Sequence, residues 1–113
     1  MEKKARPVVI KGSTTRYETG CGHIYITLNY VGGKLFEVFA KLGKSGGCAM
    51  SQLEALTRLV TLALRYDIPP EEIIKQLSQL KCPSPGLEDG EQIFSCADAI
   101  AKVLSKKETT LER

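Results

Sequence analysis

Four cysteines carry the chemistry that this sequence offers: Cys21, Cys48, Cys82 and Cys96, with gaps of 27, 34 and 14 residues. No CxxC pair is present, so spacing alone reads neither as a zinc ribbon nor as a thioredoxin-like motif. Local context says more. Cys21 sits between two glycines. Cys48 closes the glycine-rich run Gly43-Lys44-Ser45-Gly46-Gly47. Cys82 precedes Pro83, and Cys96 follows Ser95 at the start of an apolar-periodic stretch. Each cysteine falls at the boundary of an element, where loops let side chains converge and glycine lets backbones approach closely. Two of them fall at helix starts, where the positive end of the helix favours the thiolate. Four thiolates suit a tetrahedral zinc ion and equally an iron–sulfur cluster. The competing reading is four unrelated buried thiols, since unpaired cysteine is often buried.

Other candidates lie close to these. His23, the only histidine, stands two residues from Cys21 and could support a ligand, although a polar residue at a strand edge is the plainer account. Ser95 and Asp98 could orient Cys96; spaced three apart, they read first as a helix cap. Lys44, Ser45, Gly46 and Gly47 resemble a phosphate-cradling loop only superficially, because the GxxxxGK[ST] order is missing.

The elements that must position these residues follow from periodicity. Residues 14–19 read as a strand. HIYITLNY alternates, with Ile24, Ile26, Leu28 and Tyr30 on one face. Val31-Gly32-Gly33-Lys34 reads as a hairpin turn. Leu35 to Leu42 returns with Phe36, Val38, Ala40 and Leu42 on one face and Glu37 and Lys41 on a wet one. Residues 49–66 read as a helix whose stripe is Met50, Leu53, Leu56, Leu59, Val60, Ala63 and Leu64. Pro70, Glu71 and Glu72 start a second helix, with Ile73, Ile74, Leu77 and Leu80 inward. Residues 82–90 read as a loop and Ser95 to Lys106 as a last helix. Strands first and helices after predict an α+β fold: a small antiparallel sheet of about three strands packed against about three helices.

With 113 residues, 42% of them hydrophobic and 26% charged, the chain is neither disordered nor fibrous and holds one domain. The expected organisation is a flexible basic tail over 1–12, a single domain over 13–105 and a tail over 106–113. The net charge of +3 sits in those ends: residues 1–7 carry +2 and residues 105–113 carry +1, leaving 8–104 neutral. Such dilute charge supports a nucleic-acid partner only weakly. No apolar run approaches the ~20 residues that span a bilayer, and no signal peptide is read, so a cytoplasmic protein with no membrane partner is expected. In that compartment thiols stay reduced and favour metal or redox work.

At these same residues the sequence resembles the TSCPD domain, known from the C-terminal region of adenosylcobalamin-dependent (class II) ribonucleotide reductases and from small stand-alone proteins. The matching stretches are Thr19-Gly20-Cys21-Gly22 with HIYIT, then FEVFAKLGKSGGCA, PPEEIIKQL leading to Lys81-Cys82-Pro83, and SCADAIAKVL, covering about residues 13–105. The family's four cysteines fall on Cys21, Cys48, Cys82 and Cys96. Where the family often shows Thr-Ser-Cys-Pro-Asp, this chain has Phe94-Ser95-Cys96-Ala97-Asp98, keeping Ser, Cys and Asp.

The resemblance implies a four-cysteine metal site, with zinc as the metal. It also implies association with a ribonucleotide reductase catalytic chain and with deoxyribonucleotide supply for DNA synthesis. It implies no catalysis by this chain alone, because the reductase core is a large barrel that 113 residues cannot form. Two alternatives stand beside it: a thiol redox protein delivering electrons to a reductase, and an iron–sulfur scaffold, to which the GGC segment bears a general similarity.

Overall fold

A computed structural model describes residues 2–20, 22–43, 47–82, 86–88 and 90–111. Three strands, β1 (Lys11–Thr19), β2 (Gly22–Val31) and β3 (Lys34–Leu42), form an antiparallel sheet in the order β1-β2-β3. Then come α1 (Gly47–Arg65), α2 (Pro70–Leu77), a two-stranded ribbon of β4 (Gly86–Glu88) and β5 (Glu91–Ile93), and α3 (Cys96–Leu111). The architecture is the α+β arrangement expected from the pattern.

The alternation in β2 decides which face is dry. Ile24, Ile26 and Leu28 are fully buried, while Tyr25 on the other face is exposed. Against the dry face pack Ala99, Ile100, Ala101, Val103 and Leu104 of α3, together with Leu53, Val60 and Leu64 of α1. Gly32 and Gly33, at φ 59° and 80°, make the β2–β3 turn, a backbone that a two-residue hairpin requires and that side chains resist. α1 covers the outer edge of β3. The Thr61 hydroxyl accepts from Val38 N–H and donates to Val38 C=O, both at 3.0 Å, and Leu42 N–H meets the Met50 sulfur at 3.2 Å. An edge strand is thus kept from pairing with other chains by side chains of its own helix.

Several expectations are corrected. β1 starts at Lys11 rather than at 14, and the segment before it is not a loose tail. Lys4 N–H bonds Arg65 C=O at 3.0 Å, and the Arg6 guanidinium grips both carboxylate oxygens of Glu37 at 2.9 Å. That clamp explains a second difference. Glu37 alternates onto the wet face, yet it is buried, because Arg6 and the Asn29 amide (2.8 Å) satisfy its charge. Leu35 and Phe36 are buried in succession where a bulge at Asn29/Tyr30 shifts the register. Leu59 is exposed, and Thr57 takes its place in the buried stripe of α1. α2 stops at Leu77, leaving Leu80 exposed. The stretch read as a loop over 82–90 holds β4, which pairs with β5 just beyond it, and Ile93 of β5 plugs the core. α3 runs on to Leu111, into the region expected as a tail.

The buried clamp yields an expected result. Burial pushes the Glu37 carboxyl up, but the bonds from Arg6 and Asn29 outweigh it and hold the group below the usual carboxylate range. Its stabilisation is therefore complete above the unfolded-chain value and fades as pH falls through the lower native one. Glu37→Gln should lower stability near neutral pH by about 1.5–3 kcal/mol, with a deficit that shrinks on acidification. Urea unfolding across pH checks it; equal midpoints for the two proteins near neutral pH would sink the argument.

Candidate functional site

The cysteine-bearing segments meet at one end of the sheet. Gly43 N–H bonds His23 C=O at 2.9 Å, so the chain leaves β3 beside the start of β2. Gly86 lies so close to the β1–β2 turn that a Cβ there would come within 2.7–2.9 Å of Thr19 and Gly20 backbone atoms. Only glycine permits that approach, and it seats the start of β4 against the end of β1. Cys82 N–H donates to Phe94 C=O at 2.9 Å, tying Cys82 two residues from Cys96.

Cys82 and Cys96 are half-buried and border one hollow of about 240 Å³, together with Leu42, Ala49, Leu53 and Ser95. Cys48, next to Ala49 in the first turn of α1, is exposed. No disulfide joins Cys48, Cys82 and Cys96 to one another. Cys21 lies outside the described residues, as do Lys44, Ser45 and Gly46 of the glycine-rich run; Gly47 opens α1.

Among the described residues, no three Cys, His, Asp or Glu side chains come together closely enough to hold a metal ion. The described donors therefore do not complete a metal site by themselves.

The neighbours of the cysteines have other duties. His23 Nδ1 pairs with Glu18 across β1 and β2, on the outer face of the sheet. Ser95 caps α3, its hydroxyl accepting Asp98 N–H at 3.0 Å. Asp98 is almost wholly buried and acts as a clasp. Its carboxylate accepts Gln79 N–H at 2.7 Å, Phe94 N–H at 3.0 Å and the Lys102 ammonium at 2.7 Å. Burial pushes this carboxyl up; the Lys102 bond and the two amides outweigh it and hold it below its ordinary value. Because Gln79 precedes Cys82 and Phe94 precedes Cys96, the clasp sets the relation between the two thiol-bearing segments. Gln79 presents its amide from a left-handed backbone, φ 62°. Sequence pattern singled out Asp98 as a cap partner but carried no signal for Gln79. The Lys81 and Lys102 ammonium groups flank the Phe94 ring at 5.5 and 5.8 Å.

Comparison with known proteins adds to this geometry. A family model described as TSCPD domain matches residues 1–108. A vitamin B12-dependent ribonucleotide reductase of Streptantibioticus cattleyicolor is 30% identical over 91 residues, 80% of this chain and 14% of the relative. Enzymes of the same description from Streptomyces clavuligerus and Streptomyces coelicolor are 29% identical over 91 residues, 9% of each relative. No solved structure matches the chain. Among the described residues no helix is long and apolar enough to cross a membrane.

Proposed function

The chain belongs to the TSCPD domain family, and on that premise we propose that it is a zinc-holding accessory domain serving a ribonucleotide reductase catalytic chain. Segments similar to this one occur within vitamin B12-dependent ribonucleotide reductases, of which the chain spans 14% or 9%. The reductase activity named for those relatives belongs to the longer chains. What this chain brings is a small folded unit in which Cys82 and Cys96 share one hollow. The observation that supports a metal role is the shared hollow of Cys82 and Cys96, at the end of the sheet where the segments bearing Cys21 and Cys48 also arrive.

In this reading Cys21, Cys48, Cys82 and Cys96 supply four thiolates. A closed four-thiolate zinc site leaves no position for an activated water, so the ion contributes folding free energy rather than catalysis. The residues around it prepare the donors. Gly86 packs against the end of β1, Ser95 and Asp98 anchor the start of α3, and the Phe94–Cys82 bond aligns two donors. The domain then supports deoxyribonucleotide synthesis as a docked or attached part of the enzyme.

A second reading, thiol redox delivery to the reductase, draws on the exposed position of Cys48 at a helix start. An iron–sulfur cluster is the third. One experiment separates them. The full chain is purified without chelator, its metal is measured, and its thiols are titrated before and after chelation. About one colourless zinc per chain, with all four thiols protected until chelation, is the expected result. Metal-free protein with rapidly reacting thiols points to redox work, and a brown protein with visible absorption points to a cluster; either outcome overturns the zinc reading.

A further inference from the structure

The strand register sorts side chains onto an outer sheet face that shares no lining residue with the cysteine hollow. One cross-strand row there is Arg16–Tyr25–Lys41, and the next is Thr14–Thr27–Phe39. Tyr25 is 38% exposed and Phe39 50%. They stand diagonally on adjacent strands, within roughly 7–8 Å of each other. A single exposed aromatic needs no explanation. Two neighbouring rings flanked by cations form a pattern. Arg16 and Lys41 are exposed, and among the described residues they take part in no ion pair. The acids of this face are already engaged, Glu18 with His23 and Glu37 with Arg6.

The face continues around the edge of β3. Phe39 and Lys41 also line a groove of about 490 Å³ against α1, whose far wall includes Arg58, Leu62 and Arg65. Glu54, the one acid of that groove, is paired with Arg58 at 2.6 Å. Cations therefore outnumber acids along the whole track, although the chain between its ends is neutral overall.

We propose that this face and groove bind single-stranded nucleic acid. Bases stack on Tyr25 and Phe39, and the backbone phosphates follow Arg16 and Lys41. Stacking platforms interleaved with cations are the general means of holding a single strand without reading its sequence. A duplex hides its base faces and cannot use the rings. An acidic peptide would satisfy the cations but leave the two ring faces without a role. This surface is independent of the thiol-based function proposed above.

The test uses the full chain and a fluorescein-labelled mixed-sequence DNA strand of about 16 nucleotides, followed by fluorescence anisotropy at several salt concentrations. Binding should weaken with salt, with a slope of log K against log salt of about −0.7 per phosphate contacted. Tyr25→Ala and Phe39→Ala should each weaken binding about ten-fold. Phe39→Leu, which keeps the apolar contact and guards against misfolding, should weaken it nearly as much. The double substitution Arg16→Gln with Lys41→Gln should flatten the slope by about 1.4. Circular dichroism melting confirms that each variant is folded. The proposal is overturned by absence of binding at low salt, by affinity that survives the ring substitutions, by equal binding of a duplex, or by polyglutamate competing as well as the strand does.

Discussion

Asp98→Ala is expected to lower the unfolding free energy by about 3–5 kcal/mol, the range for removing one partner of a buried, hydrogen-bonded ion pair. The size follows from what is left behind. Lys102, with a side chain only 16% exposed, loses its counter-charge, and the amides of Gln79 and Phe94 lose their acceptor. Urea unfolding near neutral pH measures it, and a loss below about 1 kcal/mol would mean that the clasp contributes little. Asp98→Asn should cost less, since a neutral side chain still offers one oxygen. The pH profile carries a second readout. Because the native carboxylate is held below its ordinary range, the wild type gains its stabilisation above the unfolded-chain value and loses it as pH falls through the native one. That part of the acid sensitivity should be missing from the Ala variant.

Leu104→Ala should cost a comparable amount by a different route. Leu104 has no exposed surface and packs with Ile100 and Val103 of the same helix into the core shared with the sheet. Truncation there loses transfer free energy and leaves a cavity, together about 2–5 kcal/mol. The two variants separate stability from the thiol site. Asp98→Ala unfastens the segments that carry Cys82 and Cys96, so thiol modification under native conditions should accelerate beyond what global destabilisation accounts for. Leu104→Ala, about two helical turns further along α3, should not add that local acceleration. Equal acceleration in two equally destabilised variants would show that Asp98 holds the fold without governing the thiols in particular.

Legibility divided along the reach of each interaction. The dry face of β2 could be read directly, because Ile24, Ile26 and Leu28 repeat with the period of two that any strand imposes. The Gly32-Gly33 turn was equally plain, as was the Ser95 cap. Leu59 misled because it keeps helical spacing with its neighbours, yet the dry stripe of α1 is narrow and Thr57 occupies it. The β4–β5 ribbon was hidden by its three-residue strands, too short for alternation to register. Gln79 gave no sign, since its left-handed backbone is imposed by the clasp and not by its residue type.

The candidate site shows the same boundary. The positions of Cys48 and Cys96 in the first turns of helices, and the likeness to the TSCPD pattern, were written in the sequence. The hollow shared by Cys82 and Cys96 was not. It depends on Phe94 holding Cys82 and on a lining drawn from the end of β3, from α1 and from the start of α3.

The amino-acid sequence by itself determined the local periods, the turns, the class of fold and the family, because these depend on residues only a few positions apart or on short matched motifs. Tertiary structure alone decided that Arg6 would reach across 31 residues to bury Glu37, that Asp98 would fasten a helix exit 19 residues away, and that Arg16, Tyr25, Phe39 and Lys41 would share one face. Those outcomes depend on which segments the core brings together. Each such contact is stabilised only when burial elsewhere has already offset the entropy of closing a long loop, a condition that no local pattern records.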